Sequence, residues 1–171
     1  EPGKLNYGSA GAGSVNHLAL ELMNARADIV VVHVPYRGIA DATKDLIAGT
    51  LQAMTASIPA ALPLAADKRV RVLAVTGPKR IPQMPDVPSW QEQGVANAEV
   101  INYWGIVAPA GTPRDAIAKL NAEMQAAVAT PAFVKQIEGI GLEPASSTPQ
   151  ELGSMIRIEI ARWTKVIKSA G

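Results

Sequence analysis

Apolar residues in the first half of the chain form short runs that alternate with helical periodicities. Between Val15 and Ala25 they recur about one turn apart, which predicts a helix over residues 14–26 with Ser14 as its N-cap. Residues 29–34 form a continuous apolar run rich in β-branched side chains, which is typical of a strand buried on both faces.

The same alternation continues to residue 76. The pattern predicts a helix over residues 41–48, a strand over 51–55, a short helix at Pro59 and a strand over 70–76. Together with an opening strand over residues 5–8, this spacing predicts βαβ units, and therefore an α/β fold with a mainly parallel sheet.

The chain changes character after residue 77. Four prolines within residues 77–94 exclude regular pairing and predict a surface loop with a short helix near residues 89–93. A strand is predicted over residues 100–109. The rest of the chain is predicted to be mostly helical, over residues 113–129, 131–139 and 149–168, with a capping box at Thr148–Glu151.

Charge and cysteine content narrow the classes of partner and chemistry. The 16 basic and 15 acidic residues nearly cancel, and no stripe of Lys or Arg stands out, which excludes nucleic acid as the expected partner. The absence of cysteine excludes disulfides, thiolate metal sites and cysteine nucleophiles. No apolar run approaches the ~18–20 residues of a membrane-spanning helix.

The stretch Gly8–Ser14 joins the first strand to the first helix. Its three glycines and two serines allow close approach to the backbone, and the helix adds unpaired N–H groups and a positive dipole end. These features predict a cradle for a phosphate or carboxylate, with an ordinary small-residue connection as the alternative. The dinucleotide fingerprint, the P-loop and the nucleophile elbow all fail here.

Four turns at predicted strand ends share one edge of the sheet, where ligands of parallel α/β folds bind. They are Gly8–Ser14, Tyr36–Gly38, Thr55–Ser57 and Thr76–Lys79. Their hydroxyls and N–H groups, with the cation of Arg37, indicate the binding of an anionic small molecule without a reactive group. Alternatively, the turns are generic and Arg37 is a solvated surface charge.

The two histidines, His17 and His33, are not accompanied by a carboxylate pair. They therefore predict neither a metal site nor a triad. His33 lies inside an apolar strand, where a partnered structural histidine is expected. No catalytic residue, metal ligand or cofactor is predicted.

Several segments carry a resemblance to one known family. They are residues 3–11 with Ser14 and His17-Leu18, then residues 33–38, 73–76, 85–88 and 105–113. These segments resemble motifs of the Bug-type solute-binding proteins of tripartite tricarboxylate transporters. Most of the motifs are weak alone, but they occur in family order and at family spacing over nearly the whole chain.

The resemblance implies a periplasmic-binding-protein-like (type II) fold, in which two α/β lobes close on a carboxylate like a Venus flytrap. It implies a periplasmic receptor that works with the membrane components of a transporter. It also implies that this chain is the C-terminal portion and that the N-terminal half is missing. Residues 1–102 would form the second, ligand-clamping lobe, and residues 103–171 the hinge strand and the helices of the incomplete first lobe. Self-association or a domain swap of such a fragment is expected.

The resemblance also assigns ligand contacts to three of the turns. The contact residues would be Ser9, Ala10, Gly11, Gly13 and Ser14 in the first turn, Arg37 and Gly38 in the second, and Ala56 and Ser57 in the third. The first set would hold the distal carboxylate or polar end. Many relatives carry an acidic–amide pair in the third turn, and its absence here removes a partner for a ligand ammonium. A carboxylate without an amino group, such as a dicarboxylate or an aromatic acid, is therefore expected.

Two other functions remain open. Lobes of this fold also occur as effector-binding sensor domains of regulators. A small α/β hydrolase using Ser9 or Ser14 is the second alternative, although His17 is the only base that is local in sequence. The expectation is a receptor that is not an enzyme.

Overall fold

The computed structural model describes residues 3–170, with side chains for residues 3–168. The strands are β1 (Asn6–Ser9), β2 (Val32–Pro35) and β3 (Ala53–Met54). The helices are α1 (Val15–Ala27), α2 (Ile39–Ala48), α3 (Ile58–Ala66), α4 (Arg114–Val128), α5 (Pro131–Gly139) and α6 (Pro149–Ala170). In this part of the chain, no helix is both long enough and apolar enough to cross a membrane.

The three strands form one parallel sheet in the order β2-β1-β3. Tyr7 in the central strand pairs with His33 of β2 and with Ala53 of β3. Each strand is followed by a helix, so α1, α2 and α3 all begin beyond the carboxyl edge of the sheet. The predicted α/β class with a parallel sheet is confirmed.

Successive residues of β1 face opposite sides of the sheet. Tyr7 is fully buried in a core cluster with Leu22 of α1 and Trp90. On the other side, α2 approaches Gly8 so closely that a Cβ there would lie 3.1 Å from the Cβ of Ala42. The central strand therefore packs between α1 and α2, and its carboxyl end is held from both faces.

Local capping signals place several helices where they are predicted. The Oγ of Ser14 accepts a hydrogen bond from the His17 N–H at 3.3 Å at the start of α1. Gly49 ends α2 in the left-handed conformation, and Pro131 opens α5. Each of these signals acts within one turn of the chain, so it does not depend on packing.

The prediction of a fully buried strand over residues 29–34 is wrong. The strand β2 begins only at Val32, and the side chains of Ile29 and Val30 are 43% and 58% exposed. In the described part of the chain β2 pairs only with β1, so it is an edge strand. Its last residue, Pro35, is compatible with an edge strand because an edge leaves one side of the backbone unpaired.

The strands predicted over residues 70–76 and 100–109 are absent, and the chain after Trp90 forms turns instead of a short helix. Val75 makes an isolated bridge, donating its N–H to the Pro88 carbonyl at 2.9 Å and accepting from the Trp90 N–H at 3.0 Å. An apolar run becomes a strand only beside a partner strand. The four prolines of residues 77–94 lack N–H groups and interrupt such pairing.

Large apolar side chains near the middle of the chain are exposed. They are Ile101, Tyr103, Trp104, Ile106 and Val107. Such a concentration of exposed apolar surface is typical of an interface. The expected self-association or domain swap of the chain stays a prediction.

The chain divides into two compact units. One contains the residues up to Asn102 and those from Trp163 onward, and the other is Tyr103–Arg162. Within the first unit, Trp163 of α6 packs against the core cluster around Tyr7. The assignment of residues 1–102 to a clamping lobe, and of residues 103–171 to a returning lobe, stays a prediction.

The capping box predicted at the start of α6 is present. Glu151 donates its N–H to the Oγ1 of Thr148 at 3.2 Å, and its carboxylate accepts from the Thr148 N–H at 2.7 Å. The Thr148 N–H, followed by its hydroxyl, lowers the pKa of the Glu151 carboxyl. The stability that this carboxylate adds is therefore present at neutral pH and is lost as the pH falls through the lowered pKa.

Replacement of the cap, Thr148→Ala, is expected to lower the free energy of unfolding by about 1 kcal/mol, because it leaves a first-turn N–H unpaired. Urea unfolding at neutral pH, followed by circular dichroism, measures the change. Ser154→Ala in the same helix is the matched control, because Ser154 is exposed and its hydroxyl contacts only the Arg157 side chain. Equal unfolding midpoints for Thr148→Ala and the control would contradict the prediction.

Candidate functional site

Three strand-end turns lie side by side at the carboxyl edge of the sheet. Turn 1 (residues 9–14) follows the central strand, and turn 2 (residues 36–38) and turn 3 (residues 55–57) follow the strands on either side. The fourth predicted turn, residues 76–79, follows no strand of this sheet. Because the sheet is parallel, its order alone brings the three turns together.

Hydrogen bonds join these turns to one another. The Tyr36 N–H of turn 2 donates to the Ser9 carbonyl at 3.2 Å. On the other side, the amide nitrogen of Asn16 donates to the Thr55 carbonyl at 2.8 Å, and it lies 3.1 Å from the Thr55 hydroxyl. Turn 1 is thus tied to turn 2 directly and to turn 3 through the first turn of α1.

Turn 1 depends on two glycines in conformations that other residues rarely adopt. Gly11 has φ of 120° and Gly13 has φ of 77°. The Ser14 hydroxyl donates to the Gly11 carbonyl at 2.7 Å, and the Ser14 N–H reaches the same carbonyl at 3.2 Å. Ser14 therefore closes the turn as well as capping α1.

Several N–H groups at turn 1 are available to a ligand. Within residues 3–170, the N–H groups of Ala12, Val15 and Asn16 have no hydrogen-bond acceptor. They belong to the turn and to the first helical turn, where the positive end of the helix dipole lies. Ala12 and Gly13 are exposed, so an anion can approach this backbone from solvent.

Ser9 differs from the other turn 1 residues because it is fully buried. Its Oγ lies 2.6 Å from Nε2 of His33, and it lies 3.1 Å from both the N and the O of Gly11. In this arrangement the buried hydroxyl stabilises the turn through its contacts with the Gly11 backbone. A direct contact between Ser9 and a ligand stays a prediction, as do the contacts of Ala10, Gly11 and Gly13.

Beneath turn 1, the two histidines stack on each other and on Tyr7. The ring centroids of His17 and His33 are 4.0 Å apart, and those of Tyr7 and His33 are 4.9 Å apart. The Tyr7 hydroxyl donates to the Glu21 carboxylate at 2.6 Å. Burial and the nearby charge of His17 lower the pKa of His33, while Glu21 acts in the opposite direction. The partner expected for His33 is present, since its Nε2 contacts the Ser9 hydroxyl; its structural role stays a prediction.

The base nearest to Ser9 is not the one that is local in sequence. His17 is the only local base, whereas His33 is the ring within hydrogen-bonding distance of the hydroxyl. The parallel pairing of Tyr7 with His33 puts the His33 side chain on the face that Tyr7 and Ser9 share. The alternation of side chains along β1 indicates that Tyr7 and Ser9 share one face of the sheet. The register between β1 and β2 is needed to show that the His33 side chain lies on the same face.

The pair of Ser9 and His33 has the spacing of a nucleophile and its base but lacks other catalytic features. Ser9 is 0% exposed, so its hydroxyl is not presented to solvent as a nucleophile would be. In the described part of the chain, no carboxylate makes a hydrogen bond to His33. No cluster of three or more metal-binding side chains occurs there either.

Turn 2 supplies a cation. Arg37 is exposed, and it has no hydrogen bond or ion pair with any described residue. Its neighbour Tyr36 is anchored, because its hydroxyl donates to Asp45 at 2.7 Å. Gly38 is extended, with φ of 178°, and serves as the N-cap of α2. The backbone beside Arg37 is thus anchored through Tyr36. Among the described residues, no carboxylate pairs with the Arg37 guanidinium in place of a ligand.

Turn 3 supplies a hydroxyl without charge. Ser57 is the N-cap residue of α3, but its side chain makes no capping bond. Ala56 is exposed and carries no polar group. The turn therefore offers the Ser57 hydroxyl and the amino end of α3, and it contains no acidic residue.

The electrostatics of the edge favour an anion. The amino ends of α1, α2 and α3 meet there, and the first turns of α1 and α3 contain no acidic residue. The acidic residue in the first turn of α2, Asp41, is paired with Lys44 at 2.8 Å. The helix dipoles, the free N–H groups and Arg37 all present positive charge to a ligand at this edge.

The chain matches the profile of the tripartite tricarboxylate transporter family receptor (TctC) over residues 1–171. It is 41% identical over 167 residues to the UPF0065 protein in the tcbD-tcbE intergenic region of Pseudomonas sp. (strain P51), covering 97% of this chain and 50% of that protein. It is 38% identical over 159 residues to the UPF0065 protein in the clcB-clcD intergenic region of Pseudomonas knackmussii, covering 92% of this chain and 94% of that protein. The chain spans half the length of the first relative and nearly all of the second.

Solved structures share the fold. R. palustris Rpa4515 with adipate has a TM-score of 0.93 and 34% identity, over 100% of this chain and 57% of that one. The periplasmic binding protein BugD has a TM-score of 0.89 and 28% identity, and the match covers 100% of this chain and 58% of that one. MatC (Rpa3494) from Rhodopseudomonas palustris with bound malate has a TM-score of 0.81 and 30% identity, and the match covers 96% of this chain and 57% of that one.

These likenesses confirm the resemblance to Bug-type solute-binding proteins and the periplasmic-binding-protein fold. Members of this family are receptors that bind small solutes, which agrees with a site of hydrogen-bond donors and one cation. The profile covers the whole length, and the chain belongs to the tripartite tricarboxylate transporter receptor family.

Proposed function

We propose that this chain binds a small carboxylate on turns 1, 2 and 3 as part of a periplasmic receptor for a tripartite tricarboxylate-type transporter. The observation that carries the proposal is the convergence of three helix amino ends at one sheet edge, with Arg37 exposed beside them. Membership of the receptor family supports the periplasmic location and the partnership with membrane components.

The binding chemistry follows from the donors at the edge. The free N–H groups of Ala12 and Val15 donate to one carboxylate oxygen, as backbone donors at a helix start do. The Arg37 guanidinium presents a planar fork that matches a carboxylate in two parallel hydrogen bonds. No group at turns 1, 2 and 3 is poised for covalent chemistry, so binding is reversible.

The ligand class follows from what turn 3 lacks. A zwitterionic amino acid needs an acceptor for its ammonium, and turn 3 offers Ala56 and Ser57 in place of a carboxylate. A dicarboxylate or an aromatic acid without an amino group fits this set of donors better. Two structural neighbours are described with adipate and with malate, which are both dicarboxylates.

Thermal unfolding of the chain with candidate ligands tests the proposal. Adipate, malate or benzoate is expected to raise the melting temperature, because a ligand that binds the native state stabilises it. Adipamide, which has the same length as adipate but no charge, is the matched control and is expected to have no effect. The absence of any shift with all three acids would contradict carboxylate binding. A larger shift with 2-aminoadipate than with adipate would contradict the ligand class.

A further inference from the structure

The two histidines hold turn 1 at opposite ends. Nε2 of His33 contacts the Ser9 hydroxyl at 2.6 Å, where the turn begins. Nδ1 of His17 accepts a hydrogen bond from the Gly13 N–H at 3.1 Å, near the end of the turn. The ring centroids of His17 and His33 are 4.0 Å apart, so the two ends of the turn contact a single stacked pair of rings.

The hydrogen bond from Gly13 fixes the protonation of His17. A backbone N–H is only a donor, so Nδ1 of His17 must carry a lone pair and no proton. The proton of the neutral ring is then on Nε2, which lies 3.8 Å from the Glu21 carboxylate. A second proton, on Nδ1, would make this nitrogen a donor that faces the Gly13 N–H, which is also a donor. The hydrogen bond with Gly13 would then be lost.

Other charged or titratable groups act on the same pair. Glu21 of α1 lies beside His17, and Tyr7 of β1 stacks on His33 while donating to Glu21. Positive charge on one ring would lie close to the other ring, which disfavours protonation of both. Burial, followed by the charge of His17, lowers the pKa of His33, which agrees with a His33 ring that is neutral in the folded chain.

We propose that His17 and His33 are positioning residues that hold turn 1 in its carboxylate-binding conformation only while both rings are neutral. The inference rests on the proposed function, because it treats turn 1 as a ligand contact. Acidification disrupts the bond to Gly13 and the stack, so the affinity for carboxylate falls as the histidines take up protons. A fall of about three- to tenfold corresponds to the loss of one net hydrogen bond.

Calorimetric titration with adipate between about pH 8 and about pH 5.5, which brackets the usual histidine pKa, measures this effect. In wild type the affinity is expected to fall with pH. In His17→Asn, whose side-chain Oδ1 takes the position of Nδ1 and accepts from Gly13 but does not titrate, the fall is expected to be smaller. His17→Ala is expected to bind about three- to tenfold more weakly at pH 8. Because adipate titrates identically in every sample, its own ionisation cancels between variants.

The Gly13 amide resonance in the ligand-free chain gives an independent test. In wild type its chemical shift is expected to follow protonation over the same pH range, and in His17→Asn it is expected to stay constant. Equal pH profiles for the wild type and both His17 variants, in binding and in the Gly13 shift, would overturn the inference. A titrating Gly13 shift without any adipate binding would overturn the proposed function and leave the histidine contact standing.

Discussion

Arg37→Ala is expected to weaken adipate binding by about 10- to 150-fold. This is the range expected when a hydrogen bond to a charged group, worth about 1.5–3 kcal/mol, is lost. The melting temperature without ligand is expected to stay unchanged, because Arg37 is exposed and has no hydrogen bond or ion pair within residues 3–170. Isothermal calorimetry and thermal unfolding separate the two effects.

Two further variants make the Arg37 result specific. Arg37→Lys keeps the charge but loses the planar fork, so an intermediate affinity is expected. Arg71→Ala removes an exposed arginine elsewhere in the same unit and is expected to bind like wild type. If Arg37→Ala and Arg71→Ala bind adipate equally well, Arg37 is not a ligand contact.

Gly8→Ala is expected to lower the free energy of unfolding by about 1–3 kcal/mol, the usual cost of an extra methyl group in a packed core. The new Cβ would lie 2.5 Å from Cδ2 of Leu51 and 3.1 Å from the Cβ of Ala42. Leu51 is buried and Ala42 is part of α2, so neither can move aside freely. Urea unfolding at neutral pH measures the loss.

Gly77→Ala is the matched control for Gly8→Ala. A Cβ at Gly77 would meet only the Lys79 carbonyl, at 3.9 Å, which is an ordinary contact. Its stability is expected to equal or slightly exceed that of wild type, because alanine reduces the entropy of the unfolded chain. A Gly8→Ala variant as stable as the Gly77→Ala control would show that α2 does not pack tightly on the central strand.

The helices could be predicted from sequence because their signals are local. Ser14 caps α1 through its own hydroxyl, Gly49 ends α2 through its own φ, and Thr148 and Glu151 cap each other. Each signal spans at most four residues. Neither the sheet nor the packing has to be known to place these elements.

The strands were less predictable because pairing requires a partner. The run at residues 70–76 is as apolar as a buried strand, yet only Val75 makes a bridge. The run at residues 29–34 is paired only from Val32 onward, beside one neighbour. Apolar content therefore indicates that a segment prefers to be buried, whereas the order of the sheet decides whether it becomes a strand.

The site was predictable where it depends on topology and was missed where it depends on register. A parallel sheet brings turns 1, 2 and 3 to one edge whatever the side chains are, and the glycines of turn 1 mark its centre. The stack of His17 on His33 and the contact of His33 with Ser9 depend on which residue of β2 lies opposite Tyr7. That pairing is a property of the folded sheet.

The most direct test of carboxylate binding at turns 1, 2 and 3 is a titration of the isotopically labelled chain with adipate, followed through its backbone amide resonances. The amides of Ala12, Gly13, Val15 and Gly38 are expected to shift in a saturable manner with adipate and to remain in place with adipamide. Shifts confined to α4, α5 and α6, or equal shifts with both compounds, would contradict a carboxylate site at the edge of the sheet.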